Sequence, residues 1–362
     1  MNPSAMGIAN IPAPDPFNLF SASVNVSYAF DLFGRNRRIL EARQAQVDRK
    51  AYELVAARQT LAANVVMTSI RLAEAEEQLN MLREVVIRRK QQLEIATRRM
   101  EAGGISARGL EAQHIALAQA QAALPTMEDL AARLQRQLRV YLGLKPAEVL
   151  SDSLDLKALH LSQEVPTSLP SAIARQRPDI RAAEALWQQA NASLGVATAD
   201  LYPQITLTGS LGMQQTDITD ILEKANVWSI GAGLMQPLFH GGALRARKRG
   251  ALAARDEAAA AYRDTVLRGL QEVADVMGAL ERDARVLAAR TAAAQHAQTK
   301  AEITRQQVQL GGLSQTAMLD EEIGCWQAEG ERLAAQAARL ADTAALFHAL
   351  GGSWRQAADQ GP

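Results

Sequence analysis

The sequence predicts a mainly α protein built of long antiparallel coiled-coil helical hairpins, with short amphipathic strands between them. Three observations point there. The 362 residues are 48% hydrophobic but only 4% aromatic, so the apolar content is mostly Ala, Leu and Val, the composition of long packed helices. A seven-residue apolar series, Val65 to Met100, runs unbroken within a proline-free stretch of about 67 residues, and it recurs as Val273 to Val308 in a second such stretch. The two stretches belong to one duplicated design: Gly103-Gly104-Ile105-Ser106 recurs 208 residues later as Gly311-Gly312-Leu313-Ser314, and Leu142-Gly143 recurs as Leu350-Gly351.

In chain order, Ser21 to Phe33 sets Val24, Val26, Tyr28 and Phe30 against Ser23, Asn25, Ser27 and Ala29. Apolar on one side and small or polar on the other is the pattern of a lipid-facing strand. A helix from Arg35 to Glu101 follows, carrying Val65, Leu72, Leu79, Val86, Leu93 and Met100 at seven-residue steps. At 1.5 Å per residue it would be ~100 Å long, and a strict heptad winds it around a partner helix. The Gly-Gly pair ends it, since glycine enters the left-handed region at little cost, and Ser106 supplies the N-cap of a return helix, Ala107 to Leu142. On this reading a β-branched residue at Gly104 or Gly312 would force a positive φ on a side chain that resists it.

Gly143 to Leu169 is irregular, and Arg177-Pro178-Asp179-Ile180 opens a helix running to about Ala199, with proline in its first turn and aspartate at its positive end. A second alternating strand spans Tyr202 to Gln214 and a third spans Trp228 to Phe239. The second long helix, about Leu244 to Leu310, repeats the heptad as Val273, Leu280, Leu287, Ala294, Ala301 and Val308, and its return helix runs from Gln315 to Leu350. Residue 1 corresponds to about residue 207 of the second copy, so the first copy lacks its opening strand and the helix before it. The chain reads as N-terminally truncated, which also accounts for the missing signal sequence.

Composition excludes several functions. The 39 Lys+Arg balance 39 Asp+Glu, which argues against a strongly basic nucleic-acid surface, and the few aromatics argue against a base-stacking platform. Cys325 is alone, so neither an internal disulfide nor a structural zinc site is expected; it reads as a buried, inert thiol. His114, His160, His240, His296 and His348 are scattered without acid or cysteine partners, and no nucleophile elbow, phosphate loop or paired-carboxylate motif occurs. No enzyme, cofactor or metal is expected. No apolar run approaches 18 residues, so membrane contact would fall to the strands. The basic runs Arg35 to Arg38 and Arg245 to Arg249 follow strands directly, as solvated helix ends or at a barrel rim.

Leu169-Pro170-Ser171, Arg177-Pro178-Asp179-Ile180, Ala183-Glu184, Ala190-Asn191-Ala192, Leu194-Gly195-Val196-Ala197 and Leu201-Tyr202-Pro203-Gln204-Ile205-Thr206-Leu207 resemble the outer-membrane factors of tripartite efflux pumps, within the TolC-like superfamily. The resemblance is strongest to the NodT-like lipoprotein subgroup serving resistance-nodulation-division pumps, and Asp31-Leu32-Phe33-Gly34 and Pro237-Leu238-Phe239 are also similar to family signatures. The resemblance implies a homotrimer with a twelve-stranded outer-membrane barrel and a helical periplasmic tunnel, passing drugs or other small molecules outward. It also implies a periplasmic adaptor, an inner-membrane pump and outer-membrane lipid as partners. Family lipoproteins carry a signal peptide and an acylated cysteine, which this chain does not show, and its three strands fall short of the family's four.

The implied organisation is a partial barrel hairpin at 1–34, a first tunnel hairpin at 35–143, an equatorial segment and continuing helix at 144–200, a second barrel hairpin at 201–240, a second tunnel hairpin at 241–351 and a polar tail at 352–362. The tips Gly103, Gly104, Ile105, Ser106, Gly311, Gly312, Leu313 and Ser314 become adaptor contacts, or else remain helix caps only. Asp320 becomes an aperture candidate or a solvated carboxylate; its first-copy equivalent is Ala112. A type I protein-secretion duct and a non-pore coiled-coil adaptor are the competing readings; duplicated strands argue against the second, and the Arg-Pro-Asp-Ile signature against the first.

Overall fold

The computed structural model describes residues 20–145, 148, 156, 176–215 and 227–352. In order these form β1 (Phe20–Phe30), α1 (Arg35–Glu101), α2 (Ala107–Tyr141), α3 (Pro178–Ala199), β2 (Gln204–Gln215), β3 (Val227–Met235), α4 (Ala243–Gln309) and α5 (Gln315–Ala349). The paired long helices are both 67 residues and the paired return helices both 35. The 208-residue repeat is therefore a repeat of structure. Most of the segment read as irregular between Gly143 and Leu169, His160 and the tail beyond 352 lie outside the described residues. No described helix is long and apolar enough to cross a membrane.

The chain divides into two compact units. One comprises residues 1–47 and 185–260 and contains a three-stranded antiparallel sheet in the order β1-β2-β3. Its register lines the strands up in strict rows. Val24 pairs with Leu211 and that with Trp228; Phe30 pairs with Ile205 and that with Leu234. The interleaved rows hold Asn25, Ser210 and Ser229, then Ser27, Thr208 and Gly231. Because successive side chains point to opposite faces, one face is apolar and the other hydroxylated.

Two strands are shorter than expected. β1 ends at Phe30 because the carboxylate of Asp31 turns to accept the first-turn amides of Asn36 and Arg37, at 2.8 and 2.9 Å, capping α1. β3 stops at Met235 because Pro237 has no N–H to donate, while the Gln236 amide donates to the carbonyls of Leu201 and Pro237.

The other unit comprises residues 48–184 and 261–362. Its core follows the heptad: Leu72, Leu79 and Val86 are buried on α1, and Val273, Leu280, Ala294 and Ala301 on α4. On α5 Leu333, Leu340, Leu346 and Ala349 are buried, Leu346 and Ala349 in one cluster with Val273 and Leu280 and Leu340 in another with Ile70 and Ala73. Alanine supplies much of this core, so helices can pack closely where large side chains would hold them apart. α2 continues through Pro125, whose 208-offset counterpart is the fully buried Leu333.

Candidate functional site: a membrane-facing sheet and two capped tips

On the apolar face of the sheet Val24, Val26, Tyr28, Trp228, Ile230 and Leu234 are between 61% and 80% exposed. A contiguous apolar surface of this kind marks contact with an apolar partner, and strict two-residue alternation matches a wall between lipid and water. On the opposite face the hydroxyls of Ser210 and Ser229 lie 2.7 Å apart, a polar ladder suited to an aqueous lumen.

The helical tips are built twice over. Gly104 N–H donates to Arg99 O and Gly103 N–H to Met100 O, at 2.6 and 2.9 Å; Gly312 to Gln307 and Gly311 to Val308 repeat this at 2.8 and 3.0 Å. This pair of bonds satisfies the last carbonyls of a helix and requires one left-handed residue. That residue is the first glycine of each pair, Gly103 at φ 71° and Gly311 at φ 78°. The expectation of a positive φ at Gly104 and Gly312 is thus corrected: the bonds put the turn one residue earlier. At Gly104 a Cβ would instead press on Arg99 O at 3.3 Å. Ser106 and Ser314 accept the amides of Gly109 and Ala317 at 3.3 and 3.2 Å, as N-caps. Ile105 is partly exposed and Leu313 exposed.

Asp320 lies on α5 with its side chain 62% exposed. Its carboxylate accepts from the Gln92 amide at 2.8 Å and faces Arg89 at 3.5 Å, so it ties α5 to α1 through a glutamine that is itself buried. The sequence offers Asp320 as a candidate but does not reveal these partners. Nor does it reveal the geometry of Arg177, which ties three elements together. The guanidinium donates to the carbonyl of buried Ala349 at the end of α5 (2.8 Å), to both oxygens of Asp179 and to Glu272 on α4 (2.7 Å). Gly269 leaves room for it: a Cβ there would meet Arg177 Nε at 3.2 Å. Although burial works against both charges, Asp179 and Glu272 hold the Arg177 pKa up and Arg177 holds the Asp179 carboxyl below its usual range. Cys325 is half-buried on α5, and burial, with Glu329 beside it, raises its thiol pKa and favours the neutral form.

A sheet with one lipid-compatible and one aqueous face, joined to duplicated long helical hairpins, defines an outer-membrane channel with a helical extension. The model of the Outer membrane efflux protein family matches residues 11–144 and 169–352, and the chain belongs to that family. It is 30% identical over 346 residues to the probable efflux pump outer membrane protein TtgC of Pseudomonas putida, covering 94% of this chain and 71% of that protein. It is 25% identical over 343 residues to the cation efflux system protein CusC of Escherichia coli, covering 93% and 73%. The solved outer-membrane channel OprN superposes with a TM-score of 0.82 at 25% identity, over 93% of this chain and 82% of that one. The chain is an outer-membrane exit duct for efflux, with a periplasmic helical portion. Its family is one of channel proteins.

Proposed function

We propose that the chain works as a homotrimer, forming the passive exit duct of a resistance-nodulation-division type tripartite pump and performing no catalytic step. The observation that carries this is the sheet. Its outer strands β1 and β3 each leave one edge without a partner among the described residues, and an unpaired edge cannot be placed in hydrocarbon, where no water satisfies its amides. Further copies of the chain supply the missing neighbours and close a barrel around the hydroxylated face. In this reading 1–34 and 201–240 build the barrel, 35–143 and 241–351 the tunnel, and 144–200 an equatorial band.

The tips Gly103 to Ser106 and Gly311 to Ser314 dock the periplasmic adaptor, and Asp320 contributes to the aperture ring. Matched caps on two hairpins support the first role, because they hold two exposed backbone turns in one conformation. The relatives include the protein of a cation efflux system and that of a general efflux pump, which supports a duct that leaves selection to the inner-membrane pump. The test is complementation of a strain lacking its own outer-membrane component, with light-scattering mass of the purified chain. Restored drug export and a threefold mass are expected. A stable monomer, or a trimer that restores no export in a strain with the cognate adaptor and pump, contradicts the proposal.

A further inference from the structure

Most of the basic run that opens α4 has no ion-pair partner among the described residues. Arg245, Lys248 and Arg249 are exposed and have no ion-pair partner among the described residues, while Arg247 alone reaches Asp200, at 3.7 Å. Spaced at i, i+3 and i+4, the three cations share one helix face. They sit where cations are unfavourable, since the positive end of the helix dipole lies there and the first turn holds no acid. The first copy shows what an internally used run looks like. There Arg35 pairs with Asp200 at 2.7 Å, Arg37 with Asp31 at 3.4 Å and Arg38 with Glu41 at 2.6 Å. The duplicated design has kept its cations in both copies, but in the second only Arg247 meets a counter-charge among the described residues.

Just before the run stand Leu238 and Phe239, 92% and 88% exposed, only a few residues beyond the end of β3. The apolar face of the sheet therefore continues into an apolar step and then, within about two helical turns, into a row of unpaired cations. That order matches the end of the hydrocarbon layer, where aromatic and aliphatic groups meet headgroups and basic side chains meet phosphate.

We propose that Arg245, Lys248 and Arg249, with Leu238 and Phe239, form a docking surface for the anionic headgroups of phospholipids in the periplasm-facing leaflet, so that acidic lipid ties the duct to its membrane at the second copy. Charge complementarity and continuity with the membrane-facing sheet identify the occupant; the inference rests on reading that sheet as membrane-embedded.

The test uses the full chain reconstituted into nanodiscs of phosphatidylcholine with or without phosphatidylglycerol, with bound lipid counted by native mass spectrometry after release into neutral detergent. Each cation near an anionic surface contributes about fivefold, so R245Q/K248Q/R249Q should weaken phosphatidylglycerol retention by up to about a hundredfold, with phosphatidylcholine unaffected. Retention by the parent should fall steeply with salt, a readout that needs no variant. The triple variant R35Q/R37Q/R38Q should change retention far less, because those charges are already paired. Equal retention of the two lipids by the parent overturns the inference. So does a variant that dissociates the assembly, which would assign this face to a second copy of the chain. Failure of the parent to enter the nanodisc would instead count against the membrane reading of the sheet.

Discussion

Removing the Arg177 guanidinium should loosen the end of α5 locally, by an amount the surroundings set. In Arg177→Ala the carbonyl of Ala349, a residue with no exposed surface, loses a charged donor at a cost of about 1 to 3 kcal/mol. Asp179 and Glu272 lose their partner too, but their side chains are 42% and 43% exposed, so water replaces most of it and each pair is worth only about 0.5 kcal/mol. The total is about 2 to 4 kcal/mol. Amide hydrogen exchange of Leu350, Gly351 and Gly352, whose N–H groups close the last turn of α5, reads this directly. Protection there should fall about 30- to 1,000-fold, at 1.4 kcal/mol per factor of ten. Arg177→Lys, which keeps the charge but not the planar fork that reaches three partners at once, should fall between parent and alanine. Amides at the Gly103 and Gly311 tips should be unchanged. A fall below threefold at the α5 end, or one of equal size everywhere, would refute the idea that this side chain clamps three elements.

Other expectations can be checked alongside it. Because the Asp179 pKa is depressed, its contribution is present above the ordinary carboxylate range and disappears as pH falls below about 4, so protection at the α5 end should drop there in the parent but not in Arg177→Ala. The Asp342 pKa is raised, first by burial and then by Asp283. The folded chain therefore holds a proton that the unfolded chain has released, and stability falls as pH rises through the raised value; Asp342→Asn should flatten that fall in a thermal-unfolding series across pH. Gly103→Val or Gly311→Val should each cost about 1 to 2 kcal/mol and reduce export while trimers persist, with Gly104→Ala milder on both counts. Asp320→Asn keeps an acceptor for Gln92 and removes only charge, so bilayer recordings should show lower cation selectivity at unchanged stability; unaltered selectivity would make Asp320 a tie between helices and no more.

Elements were legible where a local rule decides them. Heptad spacing and the Gly-Gly-x-Ser punctuation set both long helices and both hairpins to within a residue or two, and two-residue alternation set the strands. What stayed hidden depends on distance or on a choice between equals. Gly103 and Gly104 are alike in the sequence; only the bonding of Arg99 and Met100 carbonyls selects the first for the left-handed turn. Arg177 and Ala349 stand 172 residues apart, and Gln92 and Asp320 228, separations at which no pattern in one sequence announces a contact. The pairing of β1 with β2 joins strands from different copies, a match that alternation permits without specifying. Of the basic runs, only the structure shows that the first is internally paired while Arg245, Lys248 and Arg249 of the second are not, among the described residues.

A sheet that separates lipid from water can be tested residue by residue. In a Cys325→Ala background, spin labels would be placed singly at Val26 and Ile230, which share one row, and at Ser27 and Ser229, which lie on the other face. In liposomes the first two labels should relax with oxygen, which concentrates in the bilayer, and the last two with a water-soluble nickel chelate. The same accessibility at all four positions, or chelate access at Val26 and Ile230, would contradict a membrane-embedded duct.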